Sequence, residues 1–116
     1  MRNKKTALLH SLQQQYSHLS SSLANIGYIS QGSVLDRSTL RHPRSGYQWT
    51  RKVAKKTITV ALSPEQFEAV GRAIENRRRL AKTLSKMEIL SRKILFNSLP
   101  DTNRRKPLNK NVLHIV

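Results

Sequence analysis

The chain is 116 residues long and 37% hydrophobic, which suits one domain with a modest core, and it lacks cysteine, which excludes disulfides and thiolate metal sites. Charge is the outlier: 22 Lys and Arg against 6 Asp and Glu give a formal +16 and a pI near 11.4, a field that draws polyanions, nucleic acid first and an anionic membrane surface second. No run approaches the ~18 apolar residues of a membrane span and no signal-peptide core follows the basic start, so a soluble, cytoplasmic protein is expected.

After a short basic lead, Arg2-Asn3-Lys4-Lys5, the residues Leu9, Leu12, Tyr16, Leu19, Leu23 and Ile26 recur at spacings of three and four. That period predicts a helix with one apolar seam. Gly27 or Asn25 ends it. Ser20-Ser21-Ser22 lowers its intrinsic propensity, so it depends on a packing partner. Gln31 to Leu40 then alternates, with Val34, Asp36 and Leu40 opposed to Leu35, Arg37 and Thr39, and predicts a first strand. Arg41 to Gly46 turns the chain, because Pro43 and Gly46 break both helix and strand.

Tyr47 to Val53 and Lys56 to Leu62 alternate in turn, with Ala54-Lys55 left as a two-residue connection, and predict a β-hairpin. Tyr47, Trp49 and Val53 share a face with Ile58, Val60 and Leu62. Gln48, Thr50, Lys52, Thr57 and Thr59 form the other face, polar and cationic without an acid. Ala54-Lys55 is a poor turn sequence, since such loops favour Asn or Gly where φ must be positive.

Ser63-Pro64-Glu65-Gln66 is a dense helix start: a cap, a proline at the first helical position, an acid near the positive helix end and a glutamine able to complete a capping box. The helix runs to Leu99, where Pro100-Asp101 stops it. Phe67, Val70 and Ile74 make one apolar face that covers the sheet, and Leu80, Leu84, Met87, Leu90 and Ile94 make a second, turned by roughly a third of the circumference. The second seam suits the first helix as partner. Three acids precede an arginine by four residues, Glu68 with Arg72, Glu75 with Arg79 and Glu88 with Arg92, a spacing that supports an exposed helix by ~0.2–0.5 kcal/mol per pair.

The expected fold is therefore α+β: an N-terminal helix, a three-stranded antiparallel meander, and a long C-terminal helix that pairs with the first as an antiparallel coiled-coil arm. Residues 1–99 form the single domain and 100–116 a basic, flexible tail. An arm of this kind leaves Leu90, Leu95 and Phe96 partly exposed, a patch that a second copy would cover in a homodimer.

Gly32-Ser33-Val34, then Gly46 to Val53 with Lys56-Thr57, then a long helix carrying Arg77-Arg78-Arg79-Leu80, resembles a family of small bacterial and archaeal proteins of unsettled function, often described as transposases or found near mobile elements. The resemblance covers Leu23 to Leu95 and implies a mobile-element accessory. Many members of that family carry a cysteine cluster between the first two strands, and Thr39 to Ser45 has none.

Catalysis finds little support in the residues. Metal-dependent strand transfer needs three clustered carboxylates, and of the six acids three are committed to helix pairs. His10, His18, His42 and His114 lack ligand spacing. No enzyme activity, metal or cofactor is expected. The expected function is nucleic-acid binding, DNA ahead of RNA, with a structural or interaction protein as the alternative. Lys52, Lys55 and Lys56 with Thr50 and Thr57 form the preferred surface on the open sheet face. Arg77, Arg78 and Lys82, which lack an acid four residues before them, form a second one. Arg77-Arg78-Arg79 spans about 200° of helix and cannot meet one groove as a set.

Overall fold

The computed structural model describes residues 4–103 and 108–113. The expectations for Arg2-Asn3, for the stretch 104–107 of the tail and for 114–116 lie outside the described residues. The elements run α1 (Lys4–Ser22), β1 (Ser33–Asp36), β2 (Tyr47–Val53), β3 (Lys56–Leu62), α2 (Pro64–Ser98) and a single turn, α3 (Lys110–Leu113), capped at Val112 N by the Asn109 side chain. The fold is α+β, as the patterning predicts. The chain divides into two compact units, Ile26–Leu80 and Met1–Asn25 with Ala81–Val116, and α2 contributes residues to both.

In the first unit the sheet order is β1-β2-β3, antiparallel throughout. The register sets Tyr47 opposite Leu62, Trp49 opposite Val60 and Val34 opposite Trp49, so the apolar parity is shared across all three strands. The start of α2 covers the Tyr47 and Val34 end of that face, whereas Val53, Ile58 and Val60, expected under the helix, are exposed because the hairpin extends beyond it. Tyr47 and Phe67 stack with ring centroids 4.4 Å apart, and Ala73 and Ile74 are buried. Gly71 faces Val34, where a Cβ would make an ordinary contact of 3.6 Å to Val34 Cγ2, so the packing there does not require glycine. The boundary of α2 is the predicted capping box: Gln66 N donates to Ser63 Oγ at 3.1 Å and Ser63 N to Gln66 Oε1 at 2.9 Å. Upstream of the sheet, Ser30 N donates to Ala73 O and Asn76 Nδ2 to Tyr28 O, fastening the segment before β1 to the helix.

Of the boundaries that differ from the sequence reading, two have a local reason in the side chains. The first strand ends at Asp36 rather than Leu40, because the Asp36 carboxylate accepts from Ser38 N and Ser38 Oγ while Thr39 Oγ1 donates to Asp36 O, which closes a 3-10 turn over Arg37–Thr39. The first helix ends at Ser22, and a 3-10 turn, Leu23–Asn25, tightens its last residues before Gly27 at φ 83°.

In the second unit α1 packs antiparallel against the later part of α2. Gln15, His18 and Leu19 line one groove with Lys86, Ile89 and Leu90, and Gln13 and Tyr16 line another with Ser91, Ile94 and Leu95. The core is thin: among the described residues Leu12, Met87 and Leu90 are the buried side chains there. Leu90 is thus inside rather than part of an exposed patch, while Leu95 and Phe96 are exposed as expected. Leu84, expected in the shared core, is 43% exposed. At about 100° per residue it stands roughly 60° from Met87 and 120° from Leu90, and a lone helix pair buries only one stripe of each helix.

Candidate nucleic-acid interface

The β2–β3 hairpin outruns its neighbour. Pairing of β1 with β2 ends at Ser33–Thr50, whereas β2 and β3 continue through Arg51–Ile58, Lys52–Thr57 and Val53–Lys56. Residues 51–58 are therefore a two-stranded ribbon beyond the edge of β1. Four of its eight residues are cationic, Arg51, Lys52, Lys55 and Lys56, and no acid occurs between Asp36 and Glu65. At its tip Ala54 and Lys55 both adopt positive φ, 49° and 68°, the conformation of a type I′ turn.

The outer sheet face contains the predicted polar set in register. Thr50 lies opposite Thr59 and Lys52 opposite Thr57. Lys52, Lys55, Lys56 and Thr57 are exposed, whereas Thr50 is half-buried and its hydroxyl shares a hydrogen bond of 3.1 Å with Ser33 Oγ. Lys56 pairs with Val53 and so belongs to the opposite parity, which makes both faces of the ribbon tip basic.

Trp49 is a structural anchor. Its Nε1 donates to Gln31 O at 2.9 Å, and the Arg51 guanidinium lies 5.3 Å from its ring centroid with Nε enclosed and without a hydrogen-bond partner. Gly32 makes this packing possible at φ 101°, since a Cβ would meet Thr50 O at 2.4 Å and Trp49 Nε1 at 2.5 Å. Arg51 is thereby held along the ribbon rather than extended into solvent.

A cation that the alternation did not single out joins this surface. The 3-10 turn closed by Asp36 carries Arg37 back over β2, where its Nε donates to Gln48 Oε1 at 3.2 Å, and Gln48 shares the outer-face parity with Thr50 and Lys52. The Asp-Ser-Thr run at 36–39, each member able to bond backbone locally, is the sequence signal for that turn. The Ser38 hydroxyl, then the Ser38 N–H, hold the Asp36 carboxyl below its usual range.

The helical cations divide differently from the sequence reading. Glu75 pairs with Arg78, three residues on, rather than with Arg79, which donates instead to Asn76 Oδ1. Arg78 is therefore committed to an acid, while Arg77 is exposed. Lys82 is exposed in the other unit. The expected pairs Glu68–Arg72 and Glu88–Arg92 are present at 3.8 Å and 3.7 Å.

Among the described residues no three His, Cys, Asp or Glu side chains are grouped to hold a metal ion, and no helix is long and apolar enough to cross a membrane. No protein-family model, curated protein or solved structure matches the chain.

Proposed function

We propose that this chain is a non-catalytic nucleic-acid-binding protein that lays the tip of its β2–β3 ribbon against duplex DNA. The observation that carries the reading is the extension of an acid-free ribbon, with Lys52, Lys55 and Lys56 exposed, past the end of β1. B-form DNA admits a two-stranded β-ribbon in a major groove about 12 Å wide. The deep, narrow major groove of A-form RNA does not, which favours DNA over RNA. Threonine hydroxyls and lysine ammonium groups on such a surface donate to phosphate oxygens, fixing the register of the protein without reading bases.

On this reading the protein works in the cytoplasm on DNA, and the role as an accessory of a mobile element that the sequence resemblance implies belongs to the same proposal. The alternative class, an interaction protein whose charge serves solubility, predicts no polyanion affinity beyond weak general attraction.

The test is a salt titration with a duplex and a single-stranded probe. Each phosphate contact adds ~0.9 to the slope of log K against log salt on duplex DNA, so replacing Lys52, Lys55 and Lys56 with Ala lowers the slope by roughly 3 and weakens all sequences alike. Equal slopes for wild type and triple variant exclude the ribbon. Absence of binding to either probe at low salt leaves the interaction-protein class.

A further inference from the structure

From Thr6 to Leu35 the chain contains no Lys, Arg, Asp or Glu, although the whole carries a formal +16. That neutral stretch includes nearly all of α1. On the α2 side of the helix pair, the lysines are sorted by face. At about 100° per residue Leu84, Ser91 and Leu95 fall within roughly 40° of one another, while Lys82, Lys86 and Lys93 cluster about 180° away.

The two grooves between α1 and α2 follow this division. One includes Lys86 and His18 in its lining. The other, 320 Å³ in volume, is lined by Gln13, Tyr16, Ser91, Ile94 and Leu95, none of them charged. Leu84 and Leu95, on its side of α2, are 43% and 50% exposed, and Glu88, about 40° from Leu84 on the same side, is held in an ion pair with Arg92. Apolar exposure of this kind marks a contact surface.

We propose that this uncharged groove seats a second copy of the chain, two helix pairs closing about a two-fold axis into a four-helix bundle. Charge selects the occupant. Two copies of a chain this basic repel each other over most of their surfaces, and the face between α1 and the Leu84–Leu95 stripe is where they meet without opposing lysines. An anionic partner would instead be drawn to the lysine-bearing side. Size is adequate as well: a 19-residue helix is about 28 Å long and the pair about two helix diameters wide, the order of the ~800 Å² per partner of a standard interface. The pairing completes a core that Leu12, Met87 and Leu90 begin, with Leu84 and Leu95 packing across the axis as in antiparallel bundles. The inference is independent of the DNA-binding reading, because the ribbon belongs to the other unit.

The experiment uses full-length, nuclease-treated protein in sedimentation velocity over a concentration series at ~1 M salt, where the Debye length is about 3 Å and repulsion is screened. A concentration-dependent dimer is expected. Leu84→Lys and Leu95→Lys should each weaken it by ~100-fold or more by burying an unpaired charge, with unchanged helix content by circular dichroism, whereas Phe96→Lys, on the lysine side, changes it by less than about threefold. Because the chain has no cysteine, single introduced thiols give a second reading that perturbs packing little. Ser91→Cys should be joined into a covalent dimer by a short thiol-to-thiol linker, and His18→Cys, in the other groove, should not. A monomer at every concentration, a dimer indifferent to both leucine substitutions, or a linker that joins His18→Cys but not Ser91→Cys overturns the proposal. If the lysine variants lose helix, the cysteine pair decides alone.

Discussion

Arg37 donates from Nε to Oε1 of Gln48 across 3.2 Å, and this bond places a guanidinium on the same sheet face as Lys52 and Thr57. Arg37 follows the last residue of β1, so its position depends on the turn that Asp36 initiates rather than on strand alternation. In the DNA-binding reading Arg37 supplies one phosphate contact at the end of the face opposite the ribbon tip. Arg37→Ala should lower the salt slope by about 1 on duplex DNA while altering stability by less than ~0.5 kcal/mol. Parallel salt titrations and thermal melts separate the two effects; an unchanged slope removes Arg37 from the contact surface.

The ribbon tip stores backbone strain. Ala54 and Lys55 both occupy the left-handed region, where a non-glycine residue costs roughly 1–2 kcal/mol. Replacing the pair with Asn-Gly, the preferred type I′ sequence, should therefore stabilise the protein by ~1–2 kcal/mol. The same change removes Lys55. Stability should rise while the salt slope falls by about 1, and a melt that does not rise shows that the turn is not the type I′ form described.

Gly32 should tolerate no side chain. A Cβ there would lie 2.4 Å from Thr50 O and 2.5 Å from Trp49 Nε1, at a φ of 101° that L-residues rarely adopt. Gly32→Ala should cost roughly 2–4 kcal/mol and detach Trp49 from Gln31, visible as a red-shifted, more quenchable tryptophan fluorescence from the single Trp in the chain. Wild-type fluorescence and stability in this variant would mean that the β1 entry is looser than its geometry indicates.

What the sequence made legible is what depends on neighbours in the chain. The Ser63–Gln66 box, the hairpin register from Tyr47 to Leu62 and the exposed set Lys52, Lys55, Lys56 and Thr57 follow from spacing alone, because period 2 and capping chemistry act over a few residues. Competition between local options was harder to read. Asp36 trades strand hydrogen bonds for its own side-chain bonds to Ser38, shortening β1 and redirecting Arg37. Glu75 has arginines at both i+3 and i+4, and both spacings bring side chains together, so spacing does not choose Arg78 over Arg79. The exposure of Leu84 was hidden for a different reason. Its spacing fits the seam, but how wide a stripe a helix buries depends on the number of its partners.

That width makes a further test. Leu12 is 6% exposed between α1 and α2, so Leu12→Asp should cost about 3–5 kcal/mol by burying a charge without a partner. Leu84→Asp should cost the isolated chain less than ~1 kcal/mol. Denaturant melts at a concentration low enough to keep the protein monomeric compare them; equal losses would return Leu84 to the core.

The turn that presents Arg37 should respond to acid. Two donors from Ser38, the hydroxyl first and the backbone N–H second, favour the charged form of Asp36 and lower its pKa from the ordinary value. For a carboxyl depressed in the folded state, the linked stability is fully present above the unfolded pKa of about 3.9 and is lost as pH falls through the lower folded value. The turn is therefore intact at neutral pH and loosens only in strong acid. Protonation removes acceptor strength from the bonds that end β1, so the Ser38 amide resonance should move with the Asp36 carboxyl in an NMR titration, both with a midpoint below the ordinary Asp value. Ser38→Ala deletes the larger of the two causes and should bring that midpoint back toward the ordinary value while leaving the amide bond in place. A titration of Asp36 at its ordinary value in the wild-type protein would show that Ser38 does not hold the turn, and Arg37 would then lack its fixed approach to Gln48.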